Sequence, residues 1–334
     1  MMDNKIESGK EKMSFMKYVL LDIKSIDFTD QFYRYSSEKD LSPLTESIRK
    51  VGIVSPLIVE YKARSAYRLV TGFRRFQCLR NLNLQKFPAL VADSAHSEEE
   101  LLQISLQENL SVRSLNPVEI SSLIQLLENN FSQTKEGIVK NYFPLLGRGR
   151  NPRVYDLYKP LKILPHEWQQ AIIDEDVAVE TAFEIAHEPR DVQLAFLDLI
   201  QSLRLGRNRQ REFWMLIKDI ARIQNREIVK FLDSQNLREI VTSEKLTPAQ
   251  KTERYKTELW KLRYPRYSEV KEKYEALLRR AKLPPDVHLQ PPSYFEGEKF
   301  SLTMTFKTVD DLAEKLKILE RNNVDVFQKM IDLI

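Results

Sequence analysis

Tyr67-Arg68-Leu69-Val70-Thr71-Gly72-Phe73-Arg74-Arg75 is the stretch on which the reading of this chain turns. Its first five residues are rich in aromatic and β-branched side chains, which predicts a strand. A glycine follows, and the run from Phe73 to about Leu82 predicts a helix. A strand that ends in glycine at a helix start allows close backbone approach and leaves free N–H groups pointing outward. Arg74 and Arg75 add guanidinium groups that can clamp a phosphate. Taken singly, such a turn is more often a solvated basic loop, so its neighbours decide the matter.

On the N-terminal side, Tyr18–Ile23 predicts a strand and Leu41–Gly52 a helix. Ser42 is the expected cap of that helix, Pro43 suits its first turn, Leu44, Ile48 and Val51 form one face, and Gly52 stops it. Pro56–Glu60 and, further on, Phe87–Val91 are strand patterns. From Ser97 onward only helices are predicted before the C-terminal third, beginning with Glu98–Gln107. Glu108-Asn109-Leu110-Ser111-Val112-Arg113 falls between two helices and offers a carboxylate for a divalent cation, an amide and a guanidinium. Asn116-Pro117-Val118-Glu119 is a capping box with proline at the first helical position, opening a helix to about Asn130.

Thr134–Leu164 reads as helix, glycine turn, helix. The first helix is expected from Lys135 to Leu146, the turn at Gly147-Arg148-Gly149-Arg150, and the second is capped by Asn151 with Pro152 in its first turn. This stretch carries seven Lys/Arg against two Asp/Glu, a net +5, while the whole chain carries +4. Positive charge is therefore local, and any nucleic-acid site is a patch and not a global field. A helix-turn-helix places one helix across the DNA backbone and inserts the N-terminal residues of the next into the major groove. Arg148 and Arg150 are candidate phosphate contacts. Asn151, Arg153, Tyr155 and Lys159 are candidates for base edges or phosphates. The competing reading is a three-helix packing unit with solvated arginines.

The C-terminal third begins with charged helices, passes a proline-rich connector (Leu283-Pro-Pro-Asp286, Gln290-Pro-Pro-Ser293) and ends in an alternating strand, Phe300–Phe306, and a helix. Leu312, Leu316 and Leu319 are expected on one side of that helix. Arg204, Arg207, Arg209 and Arg211 form a second basic cluster, able to touch a DNA backbone or to solvate a helix end. Trp214, Trp260 and Tyr264 are expected in the core. The late strand, if an edge, could pair across a two-fold axis.

The composition, 42% hydrophobic and 30% charged over 334 residues, is that of a soluble protein of two or three domains. A single cysteine, Cys78, excludes an intramolecular disulfide, fits a reducing compartment, and is expected to be a small buried core residue. No stretch approaches the ~18 apolar residues of a membrane span, and the first fifteen residues lack a signal-peptide core. A cytosolic protein without membrane attachment is expected.

Gly52-x-x-x-Pro56, Tyr67–Arg75, Phe87–Val91, Glu108-Asn109-Leu110 and Leu115-Asn116-Pro117 together resemble the N-terminal domain of ParB proteins, the ParB/sulfiredoxin fold. The resemblance covers about Leu44 to Glu119 and continues weakly through Leu164-Pro165, Ala171–Asp174 and Val177–Ala186. It implies an α+β chain: a small ParB/sulfiredoxin-like α/β domain (17–115), an all-α helix-turn-helix domain (116–190), and a mostly helical C-terminal region (191–334). That last region would hold a late strand-helix unit as a candidate dimerisation device, and residues 1–16 would form a flexible N-terminus.

The family grips the triphosphate of CTP with Mg2+. By resemblance Thr71, Gly72, Arg74, Arg75, Glu108 and Asn109 would contact phosphate and metal, with Glu108 and Asn109 as metal ligands and Glu108 the catalytic carboxylate of any CTPase. Gly52, Ile53 and Ser55 would lie near the base. Arg113 stands one position beyond the family's arginine, where this chain has Val112, and joins the candidate contacts. Phe73 replaces the usual glutamate and Gln77 a basic residue. Sulfiredoxins carry their reactive cysteine at the position of Phe73, which excludes that chemistry here.

The function implied is a CTP-responsive, nucleoid-associated DNA-binding protein of chromosome or plasmid partition, acting as a homodimer on double-stranded DNA. A ParA-type ATPase would meet a basic N-terminus, here Lys5, Lys10, Lys12 and Lys17. The alternatives are a transcriptional or nucleoid regulator without nucleotide turnover, or a ParB-fold nuclease, the latter disfavoured by the lack of clustered histidines or paired carboxylates.

Overall fold

The computed structural model describes residues 16–37, 40–62 and 66–334, with the backbone alone for 321–324. Lys5, Lys10 and Lys12 lie outside the described residues. The fold is α+β, and the chain divides into two compact units, Met1–Arg190 and Asp191–Ile334.

Four strands form the sheet of the first unit: β1 (Lys17–Asp22), β2 (Leu57–Tyr61), β3 (Tyr67–Thr71) and β4 (Lys86–Ala92), in the order β1-β4-β2-β3. β1 and β4 are antiparallel, as are β2 and β3, while β2 and β4 run parallel. A parallel pair needs a crossover, and the helix α2 (Phe73–Asn81) lies on that crossover, between β3 and β4. It packs beside α1 (Ser42–Val51). Ile48, Phe76, Cys78 and Leu79 of these helices meet Leu57, Val59, Leu69, Phe87 and Ala89 of the strands in one buried cluster. Cys78 is fully buried, as expected, and the Thr45 hydroxyl donates to its sulfur at 3.3 Å.

Two local expectations are corrected. Ser42 does not cap α1: Leu41 holds the cap position, and the Asp40 carboxylate accepts the Ser42 N–H at 2.9 Å. The helix expected over Glu98–Gln107 extends to Val112 as α3 (Glu98–Val112), so Glu108 and Asn109 lie in its last turns and not in a connector. The polar sequence there looked like a loop, but Leu101, Leu102, Ser105 and Leu106 form a buried stripe that carries the helix onward.

The remaining helices of this unit are α4 (Pro117–Phe131), α5 (Lys135–Asn141), α6 (Pro152–Tyr158), α7 (His166–Ile173) and α8 (Val179–Ile185). α4 opens with the expected capping box between Asn116 and Glu119. Trp168 of α7 is fully buried.

The second unit contains α9 (Arg190–Leu203), α10 (Arg207–Ile223), α11 (Ile228–Leu232), α12 (Gln235–Thr242), α13 (Pro248–Arg263) and α14 (Pro265–Ala281). A two-stranded sheet of β5 (Val287–Gln290) and β6 (Ser301–Met304) follows, and then α15 (Val309–Ile331). Phe213 of α10 stacks on Tyr255 of α13 at 5.8 Å between ring centroids. The region read as a proline connector holds a strand, because Val287–Gln290 pairs antiparallel with β6 before Pro291 ends it. The expected leucine side of α15 is also corrected: Leu319 is buried but Leu316 is 51% exposed. Lys315 is buried instead, its ammonium donating to the Thr305 carbonyl and pairing with Asp286 and Asp311. Trp214 is core, whereas Tyr264 is exposed beside half-buried Trp260. Arg209, in the second basic cluster, pairs with Glu253.

Candidate functional site

Gly72 sits at φ +93°, a left-handed conformation that turns β3 directly into α2. A Cβ at this position would lie 2.9 Å from Leu57 Cγ and 3.3 Å from Arg75 Nη2, so the glycine is required twice over. The turn leaves the first N–H groups of α2 without helical partners, at the positive end of the helix dipole.

Around the turn lies a cavity of about 290 Å3, lined among others by Tyr35, Ser36, Ser55, Thr71, Gly72, Phe73, Arg74, Arg75, Glu108, Asn109, Val112 and Arg113. Arg75 is fixed from below, donating from Nη1 to the carbonyls of Ser55 at 2.7 Å and Pro56 at 3.1 Å. Its Nη2 donates to one oxygen of Glu108, and the Thr71 hydroxyl donates to the other. Arg74 differs: its Nε is buried and has no hydrogen-bond partner among the described residues. Asn109 donates to the Tyr35 hydroxyl at 2.8 Å and to the Ser105 carbonyl at 2.9 Å. Burial pushes the Tyr35 phenol up to about 12, so it is neutral and anchored at neutral pH.

Eight expected contacts, Ser55, Thr71, Gly72, Arg74, Arg75, Glu108, Asn109 and Arg113, thus share one cavity. Gly52 and Ile53 do not line it: Gly52 ends α1 at φ +75°, and Ile53 packs against the sheet core. Arg113 touches the rim, but its guanidinium is held by Glu119, with Nη1 at 2.6 Å and Nη2 at 2.8 Å from the two carboxylate oxygens. Arg113 leaves the helix in an extended conformation, which swings it toward α4. Val112, where the resemblance expects arginine, is 82% exposed.

The cavity has the chemistry a polyphosphate needs: two arginines, a glycine cradle and a helix N-terminus meet at it. Magnesium commonly binds through one or two carboxylates plus substrate phosphates, and Glu108 with the Asn109 amide oxygen supplies a donor set of that kind. Among the described residues no group of three or more His, Cys, Asp or Glu side chains could hold a metal by itself.

The helix-turn-helix candidates are placed unevenly. α5 ends at Asn141, earlier than the expected Leu146, because Pro144 lacks the N–H and cannot extend the ladder. Gly147 and Gly149, both with positive φ, carry the chain to α6, where Asn151 accepts the Arg153 N–H at 3.0 Å and Pro152 takes the first turn. Arg148, Arg150 and Arg153 are exposed, and Arg148 lies over the Tyr158 ring at 5.3 Å. Tyr155 is corrected. Tyr155 is 4% exposed and its hydroxyl donates to Glu128 of α4. Lys159 pairs with the same carboxylate at 2.8 Å. Both brace α6 on α4; Tyr155 is thereby withdrawn from the surface, while Lys159 stays exposed beside the pair. Lys135 is likewise paired, with Asp156 at 2.6 Å.

Residues 7–110 match the ParB N-terminal domain family. This chain therefore carries a ParB N-terminal domain. The chromosome-partitioning protein ParB of Myxococcus xanthus is 33% identical over 109 residues, 33% of this chain and 36% of that protein. The nucleoid occlusion protein of Bacillus licheniformis is 28% identical over 187 residues, 55% of this chain and 63% of that protein. The chain thus spans under two thirds of either relative. Among solved structures, a C-terminally truncated ParB of Caulobacter crescentus complexed with CTP-γ-S is similar at 24% identity. That match covers 55% of this chain and 98% of that one, with a TM-score of 0.26.

Within the ParB-type domain, sequence reasoning missed the wall formed by Tyr33, Tyr35 and Ser36. The signal was present as Tyr33-Arg34-Tyr35, two aromatics in a polar connector between β1 and α1. A buried tyrosine far from any strand needs a hydrogen-bond partner, and Tyr35 finds Ser105 and Asn109 on α3.

Proposed function

We propose that this chain is a nucleotide-responsive DNA-binding protein of chromosome or plasmid partition, with CTP as its nucleotide. The observation that carries the proposal is the cavity around the Gly72 turn of a ParB-type domain, which gathers Thr71, Arg74, Arg75, Glu108 and Asn109. When bound, a magnesium ion would offset phosphate charge, with Glu108 and Asn109 as its protein ligands. Thr71, Arg74 and Arg75 would hold phosphate oxygens, and Tyr35 would fix Asn109. Phe73 and Val112, at positions where the family carries a glutamate and an arginine, favour binding over turnover.

The same reading assigns DNA contact to Arg148, Arg150 and Arg153 at the start of α6, with Asn151 engaged as the cap. It divides the first unit into a nucleotide domain (17–115) and a helix-turn-helix domain (116–190). The C-terminal region (191–334) would carry homodimer contacts, and a ParA-type ATPase would be the partner. A second reading, a nucleoid regulator that binds DNA without nucleotide turnover, draws support from the longer match to the nucleoid occlusion protein.

The test is titration of CTP, ATP and GTP against the full chain with Mg2+, with and without DNA. Saturable CTP binding that Arg74→Ala weakens at least tenfold is the expected result. Wild-type affinity in Arg74→Ala would remove Arg74 from the site. Absence of CTP binding with DNA binding retained would favour the second reading.

A further inference from the structure

The cavity contains its own anion. Among the described lining residues Glu108 is the single acid, and it shares the cavity with Arg74, Arg75 and Arg113. Arg113 is occupied by Glu119, and Arg75 by Glu108, so two of these three guanidinium groups already meet a carboxylate. Both oxygens of Glu108 are engaged, one by Arg75 Nη2 and one by the Thr71 hydroxyl. These are the donors that the nucleotide reading assigns to a phosphate.

We infer that Glu108 competes with the phosphate for Thr71 and Arg75, so that nucleotide enters by displacing an internal carboxylate. The inference rests on the nucleotide reading above and deepens it. Two anions cannot share these donors without strong repulsion, because the site is partly shielded from water. A phosphate that takes Thr71 and Arg75 releases Glu108 as an unpaired carboxylate beside added negative charge. A divalent cation relieves this by meeting the released carboxylate. Dependence on the cation therefore originates in Glu108 and not in the phosphate alone. A purely supporting Glu108, which held Arg75 in place for the ligand, would behave in the opposite way: its loss would weaken binding under every condition.

The two cases separate in Glu108→Gln, which keeps the side-chain shape and an acceptor for Thr71 while removing the charge. Equilibrium binding of CTP and of inorganic triphosphate is measured for wild type and variant, each in Mg2+ and in EDTA. Glu108→Ala is a second variant, and a thermal melt checks that each is folded. Competition requires that a folded variant bind both probes in EDTA at least tenfold tighter than wild type does in EDTA. It also requires the gap between Mg2+ and EDTA to narrow by a similar factor. Equal or weaker binding by the variants in EDTA, with wild type intact in Mg2+, overturns the competition and leaves the nucleotide reading standing. Failure of wild type to bind either probe in Mg2+ overturns both.

Discussion

Arg113 and Glu119 illustrate how one residue's neighbours override its sequence position. Glu119 is buried to 1% exposure, accepts both ends of the Arg113 guanidinium, and also takes the backbone N–H groups of Ser37 and Asn116. Burial alone would raise its carboxyl, but these donors outweigh it and hold the group below the ordinary glutamate range. A carboxyl depressed in the native state contributes stability that is fully present above its unfolded value, near ~4.3. That contribution is lost as pH falls through the native value. Glu119→Gln is therefore expected to cost about 1–3 kcal/mol at pH 7. It should also flatten the fall in unfolding midpoint below about pH 4. Chemical denaturation of both proteins across pH 3–7 checks this, and parallel pH profiles would show that the pair does not carry the acid sensitivity.

At the scale of elements, α6 is a short helix whose position depends on what lies behind it. Tyr155 and Lys159 tie it to Glu128 of α4, while Arg148, Arg150 and Arg153 remain on the exposed side. Tyr155→Phe removes a hydrogen bond to a charged acceptor and is expected to cost about 1.5 kcal/mol of stability, read as a lowered denaturation midpoint with little effect on salt dependence. Arg153→Ala acts in the opposite sense. It is expected to leave stability unchanged and weaken sequence-specific DNA binding by ~1–3 kcal/mol, while Arg148→Ala reduces the slope of log K against log salt by about 1. Fluorescence anisotropy with a selected site and a scrambled duplex, at several salt concentrations, distinguishes these effects. If neither arginine alters binding, α6 does not read DNA.

For the whole molecule, the division at Arg190 and Asp191 gives each unit its own aromatic core. A fragment ending at Arg190 is expected to unfold cooperatively and to keep the nucleotide affinity of the full chain within about threefold, because every lining residue of the cavity lies in Met1–Arg190. Calorimetry and titration of the fragment check both points. Loss of CTP binding in a folded fragment would show that the second unit completes the site.

Much of this was legible in order along the chain. Local physics set the strand at Tyr67–Thr71, the glycine turn, the capping box at Asn116 and the proline-started α6, because each depends on residues within a turn of one another. The glycine and paired guanidinium groups that make Thr71–Arg75 a candidate phosphate site were legible there too. Partnership was not. Arg74 and Arg75 are adjacent and alike in sequence, yet one has a buried nitrogen without a partner and the other is held by three acceptors, from Ser55, Pro56 and Glu108. Tyr155 and Arg153 share a short helix, yet one is core and the other surface. Which donor is free and which is already satisfied depends on contacts between residues tens of positions apart, and only the packing of α3 on β3 and of α6 on α4 settles it.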